Sequence, residues 1–319
     1  MIGEFIRYLT TYAPERVRKF GYLKRLIALE FRAKRCAESW SSHQRRCKSF
    51  IVKAADLTAK QDLCVVIGSG LLLEVPLSAL SERFDRVILV DIFHMPQVRR
   101  EVRRYFNVKL LTGDVTGVFA AMKEHRPPGP NVPAPPARIP NLKDADLIVS
   151  CTCLTQLAGP FTDYFEQTRG FSDLDSDKVA YHIMDNHAKA LANDATGVTA
   201  LITDHERFAM QGDKVVSRTD LLKALRLPPS PMMGHNEEWE WFIAPHPEEH
   251  PSHDYVHTVV GRIYKHGGEA PGKDGEAKSE PLPPELEAEL IAEKGDPLAD
   301  VSPTQSLAEK AGAEKAKRS

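Results

Sequence analysis

The sequence predicts a mixed α/β fold: a doubly wound, mainly parallel sheet of seven strands that ends in an antiparallel pair, with a helical extension before it. Two observations lead to this prediction. Between residues 61 and 203, short apolar segments typical of buried strands alternate with segments of helical periodicity, an order that produces parallel strands covered by helices. After residue 237, two β-rich segments follow each other with no helix between them, so we expect them to pair antiparallel.

The predicted elements follow in chain order. Two or three amphipathic helices precede residue 57, because apolar residues there recur at helical spacing between basic ones. Strands are predicted at 61–70, 86–90, 108–111, 145–150 and 197–203, helices at 73–82, 97–105, 115–124 and 177–193, and the antiparallel pair at 238–244 and 255–264. Residues 126–140 hold seven prolines, which fix φ and remove backbone donors, so we expect an irregular surface insertion that acts as a spacer.

Charge divides the chain into three parts. Overall, 42 Lys and Arg against 44 Asp and Glu give a net charge of −2, which indicates neither a nucleic-acid polycation nor an acidic buffer. Residues 1–50, however, hold 12 basic and four acidic side chains, whereas residues 267–319 hold 12 acids, seven bases and no aromatic residue. We therefore expect a basic helical extension (1–56), an α/β domain (57–266) and a disordered acidic tail (267–319).

Composition also bears on location and partners. No apolar run reaches the roughly 18 residues of a membrane span, and the amino terminus lacks the pattern of a signal peptide, so we expect a cytoplasmic protein. The five cysteines show no framework spacing, which indicates reduced thiols. The basic helices could bind an anionic partner such as RNA or lipid, or could dock their apolar residues on the domain.

A glycine turn follows the first predicted strand, in the sequence VVIGSG. Gly68 and Gly70 permit a tight turn in which a ligand can approach the backbone amides. A dinucleotide-binding turn would carry a third glycine to make room for the pyrophosphate, but Leu73 occupies that position. The turn therefore favours a ligand without pyrophosphate.

Acidic residues follow the next two predicted strands. Asp91 ends the segment VILVD, where a carboxylate can accept hydrogen bonds from both hydroxyls of a ribose. Asp114 ends LLTGD at the same edge, the carboxyl end at which open α/β sheets bind ligands. Either acid could instead cap the helix that follows it.

With these motifs in this order, residues 63–264 resemble the class I S-adenosylmethionine-dependent methyltransferase superfamily. The resemblance implies a Rossmann-like domain, S-adenosylmethionine as cofactor and a methyl acceptor that is a small molecule or a macromolecule. It implies that VVIGSG meets the amino-acid portion of the cofactor, that Asp91 binds the ribose and that Asp114 faces the adenine. The predicted cofactor contacts are Gly68, Ser69, Gly70, Glu74, Asp91, Ile92, Gly113, Asp114, Val115, Ser150 and Cys151.

The chain departs from the family's pattern at the fourth strand. Amino-group methyltransferases commonly carry Asp or Asn followed by prolines there, whereas this chain has Ser150, Cys151, Thr152 and Cys153. We therefore expect oxygen or carbon rather than amino nitrogen as the acceptor. An inactive binding scaffold and a nicotinamide-dependent oxidoreductase are the alternatives.

The catalytic residue stays open at this stage. A base for the acceptor could come from one of several histidines, and their spacing does not choose between His94, His182, His187 and His205. No metal site is predicted, because the Cys-x-Cys pair lacks a second pair and the histidine-rich run 246–257 is expected to be a solvated loop. Trp239 and Trp241 alternate on one strand and so share a face, which favours packing against a helix over lining a pocket.

Overall fold

The computed structural model describes residues 2–230 and 235–265, so the predicted tail lies outside the described residues. Its eight strands are β1 (Leu63–Ile67), β2 (Arg86–Asp91), β3 (Val108–Thr112), β4 (Leu147–Cys151), β5 (Val198–Gln211), β6 (Lys214–Asp220), β7 (Glu237–Ala244) and β8 (Asp254–Lys265). They form one sheet: seven strands follow the order β3-β2-β1-β4-β5-β8-β7, and β6 pairs with β5 outside this order. The first five strands pair in parallel and β8 lies antiparallel between β5 and β7. The predicted sheet and its antiparallel end are confirmed.

Helices cover both faces of this sheet. They are α1 (Ile2–Thr10), α2 (Glu15–Lys19), α3 (Tyr22–Arg35), α4 (Ala37–Asp56), α5 (Leu77–Arg83), α6 (Pro96–Val102), α7 (Val118–Lys123), α8 (Gly159–Arg169) and α9 (Asp173–Lys189). A π-helical turn, Ala190–Asp194, extends α9. None of the helices in the described part of the chain has the length and apolar character needed to cross a membrane.

Three elements differ from the sequence prediction. Strand β6 was not predicted: it pairs with the far half of β5, and all seven of its residues are exposed, so no apolar pattern marks it. Helix α8 was missed too, in a segment that opens with Gly159 and Pro160. Helix α5 begins at Leu77 rather than residue 73, because the segment before it forms an irregular loop in which Leu72 has a positive φ of 66°.

The basic extension packs on the sheet instead of standing apart from it. Trp40 and Phe50 of α4 are fully buried and belong to the same core as the strands. Several of its basic side chains pair with acids of the domain, among them Arg35 with Glu248 at 2.5 Å and Arg32 with Glu249 at 2.6 Å. The alternative in which the helices dock on the domain is therefore the one observed. Trp239 and Trp241 face α4 in this core, as expected for a packing role.

The proline-rich insertion is irregular, as predicted, but it is anchored rather than a free spacer. The Asn186 side chain on α9 donates hydrogen bonds to the main-chain oxygens of Ala134 (3.1 Å) and Pro135 (2.9 Å). The Arg138 amide donates to the Val115 oxygen at 2.7 Å. The insertion therefore connects the end of α9 to the segment that follows β3 through hydrogen bonds.

Candidate functional site

The glycine turn after β1 places two residues in the left-handed region, Gly68 at φ 72° and Gly70 at φ 49°. Their surroundings differ. A Cβ atom at Gly68 would lie 2.5 Å from Cys153 Cβ and 3.0 Å from the Cys151 oxygen, whereas one at Gly70 would meet only the Gly68 oxygen at 3.8 Å. Gly68 is therefore required by packing against the chain after β4, and Gly70 borders open space.

Asp91 connects the glycine turn to the end of β2. Its carboxylate accepts hydrogen bonds from the amides of Gly70 at 2.8 Å and Ile92 at 2.7 Å. Burial raises the pKa of this carboxyl, although these bonds favour the ionised form. The next helix, α6, begins five residues later at Pro96 and no bond from its first turn reaches Asp91, so Asp91 is not its cap. The main-chain oxygen of Asp91 accepts from the Gly113 amide at 3.0 Å, which brings three predicted contacts together.

Two polar atoms near this junction are buried without a hydrogen-bond partner: Ser69 Oγ and His94 Nδ1. The His94 ring bonds the Leu111 oxygen through Nε2 at 3.2 Å. Burial also lowers the pKa of His94, which favours the neutral ring. Since buried polar groups nearly always have partners, these two atoms fit a polar ligand held at the turn.

Asp114 bonds the backbone ahead of α7. Its carboxylate accepts from the Thr116 amide (2.8 Å) and hydroxyl (2.6 Å) and from the Phe119 amide (2.9 Å). Asp114 therefore has the capping role that the sequence left open as an alternative. Val115 beside it is buried. An adenine contact at Asp114 stays a prediction.

Tyr22 on α3 is a neighbour of both acids that sequence reasoning missed. Burial raises the pKa of its hydroxyl well above the ordinary value, and the negative charges of Asp114 and Asp91 raise it further. Its ring packs against Phe119 and Phe161, with centroids 6.4 and 6.2 Å away. Tyr22 lies in the region predicted as amphipathic helices, and helical spacing does not indicate that this extension reaches the site.

Two residues at the end of β4 are buried with different partners. The Ser150 hydroxyl lies 3.0 Å from His187 Nε2 on α9, and burial lowers the pKa of His187 to about 4. The Cys151 side chain belongs instead to the core that contains α4. Burial raises the pKa of Cys151, and that of Cys153 to about 12. Both cysteines are therefore thiols at neutral pH, which disfavours a thiolate-based site.

Glu74, the remaining predicted contact, lies beside α4. Its Oε1 is 4.0 Å from His43 Nε2. Burial raises the pKa of Glu74 to about 7 and lowers that of His43 to about 3. The two therefore form no ion pair at neutral pH.

The other histidines are spread over the molecule. His182 is exposed on α9, and His205 is half-buried with Nε2 3.8 Å from Glu238. The histidine-rich run divides: His250 and His253 stack in the loop, whereas His257 lies buried in β8 against Asp204 of β5. In the described part of the chain, no three His, Cys, Asp or Glu side chains group as metal ligands. The sequence prediction counted His257 both in strand 255–264 and in the histidine-rich run, and it gave this residue no part in the site.

The strand order and the junction of β1, β2 and β3 together decide the fold. Five parallel strands in the order 3-2-1-4-5 are followed by an antiparallel pair, with a glycine turn after the first strand and an acid at the end of the second. This arrangement is a Rossmann-like, mainly parallel sheet with an antiparallel end.

Solved structures of low similarity include methyltransferases. The 1,6-didemethyltoxoflavin-N1-methyltransferase of Burkholderia thailandensis, solved with S-adenosylhomocysteine, is 10% identical with a TM-score of 0.34 over 75% of this chain and 88% of that one. The YcgJ protein of Bacillus subtilis is 12% identical, with a TM-score of 0.34 over 70% and 99% of the two chains. A Haloferax volcanii methyltransferase complex with the activator Trm112 is 14% identical, with a TM-score of 0.30 over 70% and 94%. Structures with such low identity and TM-scores support no conclusion about this chain. No protein-family model and no curated protein matches the sequence.

Proposed function

We propose that the protein is an S-adenosylmethionine-dependent methyltransferase. The observation that carries this proposal is the junction at the carboxyl ends of β1, β2 and β3, where Asp91 bonds the Gly70 amide through its side chain and the Gly113 amide through its main chain. The orphaned Ser69 hydroxyl lies in the same turn. Such an edge of an open α/β sheet is where these folds bind ligands.

Each residue of this edge has a role in binding. The amides of Gly68 and Ser69 already bond the Val90 oxygen and the Gly70 amide bonds Asp91, so the unpartnered Ser69 hydroxyl meets the amino-acid portion of the cofactor. The Asp91 carboxylate binds the ribose hydroxyls through lone pairs that its two amide bonds leave uncommitted. Asp114 and Tyr22 border the adenine side. When bound, the cofactor supplies a methyl group on a positively charged sulfur. The chain then has to align the acceptor with that methyl group and exclude water.

Oxygen or carbon is the favoured acceptor atom. The chain carries neither the carboxylate nor the amide side chain that would hold an amino group at the end of β4. Instead, Ser150 is bonded to His187 and Cys151 is a buried thiol. The side chains at the end of β4 therefore contribute to packing, and the groups that contact the acceptor come from other strands.

Calorimetric titration of the full chain with S-adenosylhomocysteine tests the proposal. We expect saturable binding that Asp91→Asn weakens. Asp85→Asn is the matched control, because Asp85 is an exposed acid just before β2. No heat of binding at high protein concentration would defeat the proposal, and enhanced nicotinamide fluorescence on mixing would favour the oxidoreductase instead.

A binding scaffold without activity is the second candidate, and the buried Ser150 and Cys151 favour it. It shares the cofactor site, so binding alone does not separate the two functions. A scaffold binds S-adenosylmethionine but forms no S-adenosylhomocysteine when incubated with cell extract. A methyltransferase forms it at a rate that falls in Asp91→Asn.

A further inference from the structure

A buried pair of titratable side chains, Asp204 on β5 and His257 on β8, lies outside the predicted cofactor contacts. His257 Nδ1 is 2.8 Å from Asp204 Oδ2, and each residue is only 6% exposed. The Thr155 hydroxyl, in the segment after β4, donates to Asp204 Oδ1 at 2.5 Å. Three different segments thus hold the pair in place.

The surroundings fix the hydrogen positions on His257. Burial alone would raise the pKa of Asp204, but the hydrogen bond and charge interaction with His257, together with the Thr155 bond, hold it below its usual value. Asp204 is therefore a carboxylate, which can only accept. His257 Nδ1 must then donate to it, and Nε2 carries a lone pair whenever the ring holds only that one proton. That Nε2 atom is buried and has no partner.

A second unpartnered atom belongs to a ring that packs against His257. The indole Nε1 of Trp241 is also buried without a partner, and it can only donate. The Trp241 and His257 rings meet edge-on, with centroids 5.9 Å apart. A hydroxyl group both donates and accepts, so it can pair with Nε2 of His257 and Nε1 of Trp241, whereas a carbonyl or a carboxylate leaves Nε2 unpaired.

The pair lies near the proposed cofactor site. Cys153 packs directly against Gly68 of the glycine turn. Thr155, two residues after Cys153 in the same segment, bonds Asp204, so one short segment contacts both the glycine turn and the pair. Aromatic rings pack beside the pair. The His43 ring stacks on Trp241 with centroids 4.0 Å apart, and the Trp40 ring meets Trp241 edge-on with centroids 5.2 Å apart. His43 of α4 and Cys153 are titratable groups that interact with the pair, and Glu74 lies behind His43.

We infer that His257, positioned by Asp204, is the base of the methyl-transfer site and that the acceptor is an aromatic hydroxyl. This inference rests on the proposed function. The acceptor O–H gives its proton to Nε2 of His257 while Trp241 donates to the oxygen. The oxygen forms a bond to the methyl carbon as the carbon–sulfur bond breaks, and the electron pair of that bond stays on sulfur. The Asp204 carboxylate stabilises the protonated imidazole until the proton leaves to solvent.

Binding of para-nitrophenol to the full chain saturated with S-adenosylhomocysteine tests the inference without turnover. The buffer is set below the ionisation point of the free phenol, so that unbound probe is colourless. We expect the wild type to bind the probe and produce the yellow phenolate band. His257→Gln keeps a polar side chain that cannot take the proton. It should lower the amount of bound phenolate about tenfold or more, which corresponds to at least about 1.4 kcal/mol.

Two further variants make the test specific. Trp241→Phe removes the indole donor together with part of the buried ring and should weaken probe binding. His246→Gln alters an exposed histidine of the preceding loop and should change nothing. Retained affinity for S-adenosylhomocysteine shows that a variant is folded. If His257→Gln does not fold, Asp204→Asn takes its place with the same expected loss.

The outcomes separate the inference from the proposed function. A colourless wild-type mixture, or a phenolate band that His257→Gln leaves unchanged, overturns the inference and indicates that the two orphaned atoms hold a structural water. A wild type that binds no S-adenosylhomocysteine but still ionises the phenol defeats the proposed function and supports the base.

Discussion

Two acids that follow neighbouring strands differ in what their carboxylates bind. The Asp91 side chain bonds the amides of Gly70 and Ile92 at the junction of strands, and the Asp114 side chain bonds the turn before α7. We expect Asp91→Ala to weaken S-adenosylhomocysteine binding about tenfold to hundredfold or more, because charge-assisted bonds contribute roughly 1.5 to 3 kcal/mol each. Asp114→Ala should weaken binding less and instead lower stability by about 1 kcal/mol, as the loss of a cap does.

Calorimetry on both variants, with urea unfolding as the measure of stability, checks this order. If the two substitutions weaken binding equally, or if Asp114→Ala has the larger effect, the ribose assignment is wrong.

The two glycines of the turn provide a second comparison at this scale. Both have positive φ, so alanine introduces backbone strain of about 1 to 3 kcal/mol at either position. Only at Gly68 does the new Cβ also meet Cys153 and the Cys151 oxygen. We expect Gly68→Ala to lower the free energy of unfolding about 1 to 3 kcal/mol more than Gly70→Ala, because overpacking adds to the strain.

A double-mutant cycle identifies the cause. In a Cys153→Gly background, Gly68→Ala should be less destabilising, since the closest clashing atoms are gone. Additive effects of the two substitutions would show that Cys153 is not the obstacle.

Glu74 predicts a pH dependence of stability. Burial raises its folded-state pKa from 4.5 to about 7, while His43 beside it stays neutral. Between these pH values the folded protein holds a proton that the unfolded chain has released. The contribution of Glu74 to stability is therefore fully present below pH 4.5 and is lost as the pH rises through about 7.

Urea unfolding of the wild type and Glu74→Gln across this range measures the effect. The wild type should lose up to about 3 kcal/mol relative to Glu74→Gln, with the change confined to that window. Parallel stability curves for the two proteins would contradict the assignment of a raised pKa.

At the scale of elements, the proline-rich insertion depends on one side chain of α9. Asn186→Ala removes both donors to Ala134 and Pro135 and leaves two acceptors without partners. We expect a stability loss of about 1 to 3 kcal/mol and faster proteolytic cleavage within residues 126–140, because the segment loses its anchor. His182→Ala, an exposed position on the same helix, is the control and should behave as the wild type. Equal cleavage rates in the two variants would mean that the other contacts suffice.

At the scale of the whole molecule, two truncations distinguish the parts of the extension. Helix α1 has no buried residue, whereas α4 contributes Trp40, Phe50 and Ile51 to the core of the sheet. A chain that begins at residue 11 should unfold cooperatively within a few degrees of the full chain. A chain that begins at residue 57 should show no cooperative transition, because one face of the sheet loses its cover. Thermal unfolding followed by circular dichroism checks both, and a folded shorter chain would show that α4 is dispensable.

The local sequence determined the strands, the turn and the two acids of this protein. Continuous apolar runs at 63–67 and 87–90 identify buried strands, because both faces of a parallel sheet are covered. The glycines and Asp91 could be predicted as site residues because they come directly after those predicted strands. The chemistry of a strand end is a local property, so it could be predicted from residues adjacent in the chain.

The tertiary structure alone decided which distant side chains meet. Tyr22 reaches the acids from a helix about 70 residues before Asp91, and the partner of His257 is more than 50 residues away on another strand. Strand β6 could not be predicted from the sequence either, because its residues bury no apolar face. Periodicity records which face of an element is apolar, not what that face packs against. Only the packed structure shows that the side-chain nitrogens of His257 and Trp241 are buried without hydrogen-bond partners.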